Sequence, residues 1–275
     1  MTCLAKLFFP LWPLCFLAFA PRGALSMFEF FSYSSVHQCG HFNVSFHGGH
    51  PPKALPLTLT VVPFNSKPLR FTIPKSAWSD STSSGSYLTV LPLPAGVTFL
   101  ASLSDAKGND AALTSDVVHI NGSTDTSCVP THKTAPAPFR LLDDVVSRCL
   151  PFNVSRNASS SRDTPSARAF IPTGLSSRLR MTGFHTSQGI DTFTYIMSVA
   201  QGIPVALLFE DGHGNSQVSD LLWVRSGEPS TGGCLRASSI DTASTLDDVE
   251  GVPRSVIFTS TTFCEADGFS VELRS

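Results

Sequence analysis

The chain has 275 residues, a charged fraction of 15% and a net charge of −2, a length that accommodates two ordinary domains. No basic stripe is present to neutralise phosphates, which argues against a nucleic-acid partner. Gly and Pro are abundant and Phe occurs 21 times, a balance that excludes long helices as the main architecture and favours short strands joined by turns.

Residues 1–26 read as a signal peptide. Lys6 supplies a positive n-region, and Leu7 to Ala20 are apolar apart from Pro10 and Pro13. Small residues then allow cleavage near Ala20, or after Ala24-Leu25-Ser26. The apolar run is shorter than the roughly 20 residues a spanning helix needs. No later segment has a sufficient run, so no membrane span is expected in the mature chain.

Residues 27–130 read as a first β-sandwich domain. Leu57 to Val62 alternates apolar residues with Thr, as a half-buried strand does, and Tyr87–Leu91 and Val97–Leu103 do likewise. Asp105-Ala-Lys-Gly-Asn109 reads as a hairpin turn, with Asp bonding the turn through its side chain and Gly in the left-handed position. Residues 131–138, with Pro136 and Pro138 inside the stretch and Pro130 just before it, read as a stiff linker. Residues 139–235 read as a second β-sandwich domain. Thr192–Val199 and Ile203–Phe209 are its strands, Asp211 to Asn215 its turn, and Trp223 a core residue on a strand. Residues 236–275 match neither unit and read as a tail or a truncated element, with Ser255–Phe263 as one further strand.

An internal repeat connects the two units. Cys39 and Phe42-Asn-Val-Ser45 return as Cys149 and Phe152-Asn-Val-Ser155, 110 residues later. Ile73-Pro74 recurs as Ile171-Pro172. Gly96, Ser104-Asp105, Ser115-Asp116 and Cys128 find counterparts at Gly202, Glu210-Asp211, Ser219-Asp220 and Cys234, at offsets of 104 to 106. Seven landmarks in one order point to duplication. Each unit has one Cys before an early strand and one after its last strand, so the repeat pairs Cys39 with Cys128 and Cys149 with Cys234. Each bond would close nearly a whole unit, worth about 4–5 kcal/mol in chain entropy. Cys3 and Cys15 lie in the signal segment, and Cys264 is left over in the mature chain. Four sequons, at Asn43, Asn121, Asn153 and Asn157, fit export and glycosylation.

Several of these motifs also carry a resemblance. The Cys-flanked Phe-Asn-Val-Ser start, the Ile-Pro strand end, Leu91-Pro-Leu-Pro-Ala-Gly-Val-Thr-Phe99, the Ser104-Asp-Ala-Lys-Gly108 turn and the closing Ser127-Cys128 resemble the lumenal regions of mushroom-type fungal proteins. Those proteins carry such units in tandem after a signal peptide, and many continue into a transmembrane helix and a cytoplasmic tail. The module is similar in style to immunoglobulin-like domains of fungal cell-wall proteins. The resemblance covers about residues 28–235. It implies an all-β fold of two tandem immunoglobulin-like β-sandwich domains, a secreted or cell-surface location, and no known catalysis. This sequence departs from the pattern in showing no membrane helix.

Chemistry-bearing constellations are weak. His37, His41, His47 and His50 crowd the first cysteine, but their spacing matches no strong metal motif and the second unit has no counterparts. Asp105, Asn109 and Asp110, like Glu210, Asp211 and Asn215, offer oxygens to calcium, yet the hairpin turn explains them without an ion. No Gly-x-Ser-x-Gly elbow, Gly-rich phosphate loop or paired-carboxylate signature is visible. Asp143-Asp144 and Asp247-Asp248 read as turn or cap residues. No cofactor is expected. Trp78 and Tyr87, among Ser and Thr, are candidate binding residues, with core packing as the competing reading. The sequence points to a non-enzymatic extracellular or cell-surface module, structural or binding, whose partner is a cell-wall glycan or an extracellular protein. The alternatives are the ectodomain of a single-pass membrane protein and a secreted carbohydrate-active enzyme.

Overall fold

The computed structural model describes residues 27–49, 54–130, 136–157, 163–227 and 234, within one compact unit, Leu25–Asp247. The signal peptide, His50, residues 131–135 of the linker, Asp247-Asp248, Cys264 and the tail strand lie outside the described residues. Among the described residues the fold is all-β with antiparallel sheets, and no helix is long and apolar enough to cross a membrane.

In the first repeat the strands are β1 (Phe30–Tyr33), β2 (His41–His47), β3 (Leu57–Pro63), β4 (Leu69–Ile73), β5 (Trp78–Ser79), β6 (Ser84–Val90), β7 (Thr98–Ser104) and β8 (Val118–His119). They form two four-stranded sheets, ordered β1-β2-β6-β5 and β4-β3-β7-β8. Alternation along each strand fills the space between the sheets. Phe42, Val44 and Phe46 of β2 meet Leu57, Leu59 and Val61 of β3 and Phe99, Ala101 and Leu103 of β7 in one buried cluster.

The second repeat has β9 (Phe139–Leu141), β10 (Pro151–Asn157), β11 (Ser166–Phe170), β12 (Ser177–Ser187), β13 (Ile190–Ile196), β14 (Pro204–Glu210) and β15 (Ser216–Trp223). Its sandwich-like core gathers Phe152, Val154, Ala167, Phe193, Tyr195, Val205, Leu207 and Phe209. All seven strands are hydrogen-bonded in one order, β15-β14-β11-β12-β13-β10-β9. The long strand β12 makes this possible. Its first residues pair with β11 and its remainder with β13, with a register irregularity between Met181 and Gly183. In the first repeat the same path is divided into β4, a 3-10 turn at Lys75–Ala77 and β5. Pro74, between β4 and that turn, has no N–H to give a ladder.

Strand pairing corrects one landmark of the repeat. Val62 pairs with Leu100 and Phe170 with Ala206, so β11 is the counterpart of β3. Ile171-Pro172 follows β11, whereas Ile73 closes β4 opposite Leu57. The two Ile-Pro pairs therefore sit on different elements. The other landmarks hold in fine detail. Cys39 and Cys149 are both left-handed, at φ 57° and 61°, as are Gly96 and Gly202, at 86° and 80°. Disulfides join Cys39 to Cys128 and Cys149 to Cys234.

Strand β3 is buried on both faces rather than half-buried, and Thr60 is only 7% exposed. The reason is the second repeat. Val62 and Leu100, on the outer face of β3 and β7, pack with Phe170, Ala206, Leu208 and Val218 in a separate cluster. At one end of this contact Asn65 N–H donates to Ser219 O (3.2 Å) and Val218 N–H to Ser66 O (2.9 Å). At the other, Thr173 N–H donates to Ser115 O (3.1 Å) and Thr114 N–H to Gly174 O (2.8 Å). These four bonds are two matching pairs under the repeat, and Asn65 and Thr173 share a left-handed φ of 56° and 57°. The same face of each repeat meets the other, as in an isologous two-fold contact.

Candidate functional site

A cleft of about 260 Å³ opens beside this contact, lined by Arg70, Asp105, Arg168, Glu210, Phe170 and Leu208 among others. The strand alternation that sends Leu59 and Ala167 into their cores turns Thr60 and Arg168 toward the junction. Arg70 forms an ion pair with Glu210 across it. The Arg168 guanidinium meets Asp110 at 2.5 Å and donates through Nε to Ser176 Oγ at 2.6 Å. Ser176 N–H donates to the other Asp110 oxygen at 2.6 Å.

Asp110 is at this position because the first repeat carries two extra residues between its turn and Ser115. The shift of offset from 106 at Asn109 and Asn215 to 104 at Ser115 and Ser219 records them. The side chain of Asp110 is 8% exposed. Burial pushes its carboxyl above the usual range, and Arg168 and Ser176 offset this only in part. Burial likewise lowers the Arg168 guanidinium against the pull of Asp110. Both arginines of the cleft are thus matched to a carboxylate of the other repeat. The arrangement fastens one repeat to the other.

A second polar cluster lies inside the second repeat. Arg156, with a side chain 5% exposed, contacts Asp191 at 3.1 Å and Asp211 at 3.5 Å. Its guanidinium lies 5.1 Å from the centre of the Phe193 ring, a cation–π distance. Burial opposes the charge on Asp211, but the Asn215 amide, the His213 and Asn215 backbone N–H groups and Arg156 together hold it below the usual carboxylate range.

The Asp-x-x-Gly-Asn segments are turns. Asp105 Oδ1 accepts from Lys107 N–H and Asn109 N–H at 2.9 Å each, and Asp211 Oδ1 accepts from His213 N–H and Asn215 N–H at 2.9 and 3.0 Å. Gly108 and Gly214 take the left-handed φ, at 81° and 83°. Among the described residues no group of three or more His, Cys, Asp or Glu side chains is placed to hold a metal ion. Asp143 accepts from Asn153 N–H at 2.5 Å, tying the loop after β9 to β10.

Trp78 and Tyr87 are half-buried against the first core. Trp78 stacks on Phe46, with ring centres 6.2 Å apart and planes 8° apart, and donates Nε1–H to Asp80 at 2.6 Å. Trp223 is the reverse case: expected in the core, it is 59% exposed. It pairs with Pro204 as His119 pairs with Thr98, so it occupies an outward position. That signal was present in the sequence, because the repeat aligns Trp223 with a histidine. The sequons divide as well. Asn43, Asn121 and Asn157 are exposed, whereas Asn153 is partly buried. Arg70, Arg156 and Arg168 were not marked by any motif, and Asp110 and Glu210 were marked only as oxygens that calcium could use, since each acquires its role through a partner distant in the chain. No protein family and no curated protein matches the sequence.

Proposed function

We propose that this chain is a non-enzymatic extracellular or cell-surface module, built as two immunoglobulin-like β-sandwiches held as one body, whose partner is a cell-wall glycan or an extracellular protein. The observation that carries the reading is the junction: its charged side chains face each other across the repeats rather than a substrate. The two disulfides suit an oxidising compartment. Trp223 is an exposed aromatic face of the kind that stacks on sugar rings.

The test uses the full chain secreted from a fungal host and incubated with insoluble cell-wall polysaccharides. Protein sedimented and reducing sugar released are both measured. Saturable binding without released sugar is expected, and Trp223→Ala should weaken it by about tenfold while leaving the Tm unchanged. Release of sugar overturns the non-enzymatic reading. Flat binding across the panel overturns the glycan partner.

A further inference from the structure

The two copies of Phe-Asn-Val-Ser have the same sequence and the same register, yet their asparagines have different surroundings. Asn43 and Asn153 both point to the outer face of a sheet, since Phe42, Val44, Phe152 and Val154 are buried on the other side. Asn43 is exposed, and its partner across the ladder is Leu88, itself 58% exposed. Opposed residues on one face bring their side chains into contact range. Strand β5 pairs only with Gly85 and Ser84, so among the described residues no strand flanks Leu88 on the side away from β2. Asn153 instead faces Thr194, whose hydroxyl donates to Asn153 Oδ1 at 2.9 Å. Beyond Thr194 lies Gly183 of β12, so on that side this asparagine faces two successive strands.

We propose that Asn43 is the glycosylated member of this pair and that its first sugar rests on Leu88, while Asn153 serves as a cross-strand tie. The inference rests on the export proposed above. The transfer joins Asn43 Nδ2 to C1 of N-acetylglucosamine in a lipid-pyrophosphate-linked oligosaccharide. The bond from C1 to the pyrophosphate oxygen breaks, the lipid pyrophosphate leaves, and the amide gives up one proton. A glycan on Asn43 extends from an open face and covers an apolar side chain. A glycan on Asn153 leaves Oδ1 free to accept from Thr194 but has to rise from a partly buried amide held against β13, so molecules carrying it fold less readily and are depleted from the secreted product.

The full chain is expressed behind its own N-terminus in a eukaryotic secretory host. The secreted protein is deglycosylated enzymatically in heavy-oxygen water and each site is read by peptide mass spectrometry. Occupancy at Asn43 should exceed that at Asn153 by about tenfold. Enzymatic removal of the glycan should lower the Tm of the wild-type protein, and this loss should shrink in Leu88→Ser. Absence of any secreted protein overturns the export on which the inference rests. Secreted protein with Asn43 empty, or with equal occupancy at both sites, overturns the site assignment. An unchanged Tm loss in Leu88→Ser overturns the role of Leu88.

Discussion

At one paired position of the β2 and β10 strands the two repeats use opposite solutions. Phe46 and Gly85 are paired in the first repeat, and a β-carbon on Gly85 would collide with the Phe46 ring. The paired counterparts in the second repeat are Arg156 and Asp191. An aromatic ring over glycine is thus replaced by a buried ion pair. Removing one partner of such a pair leaves an uncompensated charge, whereas replacing both with a packed apolar pair does not. Arg156→Phe should therefore cost about 3–5 kcal/mol. Arg156→Phe combined with Asp191→Gly, which transplants the first repeat's solution, should recover most of that loss. Urea unfolding of the two variants checks this, and equal losses would contradict it. Asp211 loses Arg156 in both variants, but it keeps its bonds to Asn215 and His213, as Asp105 keeps its own turn without an arginine among its hydrogen-bond partners.

The turn after β14 and the inserted segment after β7 respond to acid with opposite sign. Asp211 is held below its unfolded value of about 3.9. Its contribution is present above that value and is lost as pH falls through the depressed folded pKa. Asp110 is raised, so between about 3.9 and its folded pKa the native state binds more protons than the unfolded one. Its contribution is fully present below the unfolded value and is lost as pH rises through the folded one. Chemical unfolding measured from pH 3 to 7, about the carboxylate range, should show a shallower loss of stability on acidification for Asp211→Asn and a steeper one for Asp110→Asn. The same slope in both variants would contradict the assignment.

Across the whole molecule, each repeat has its own core and its own disulfide, and the third cluster joins them. Leu208 is buried in that junction and contributes to neither of the other two clusters. A charge there cannot be hydrated, and Leu208→Asp should cost about 3 kcal/mol or more. The wild-type chain should unfold in one transition, because the junction couples the repeats. Leu208→Asp should unfold in two, followed by tryptophan fluorescence and far-UV circular dichroism. A single transition in the variant would show that the coupling lies elsewhere.

The sequence by itself determined the all-β class, the duplication and the pairing of its cysteines. These depend on local alternation, turn chemistry and the recurrence of short motifs, all of which survive as linear patterns. It also held the clue to Trp223, through its alignment with His119. Tertiary structure alone decided that the two β3-type faces bury each other, that β12 links β11 to β13 in one seven-stranded sheet while its counterpart is broken at Pro74, and that Ile171-Pro172 belongs to a different element from Ile73-Pro74. It alone brought Asp110 to Arg168, Arg70 to Glu210 and Arg156 to two aspartates. The physical reason is the same in each case: charge pairing and face-to-face burial join residues far apart in the chain, and a linear pattern records what a residue is but not what it meets.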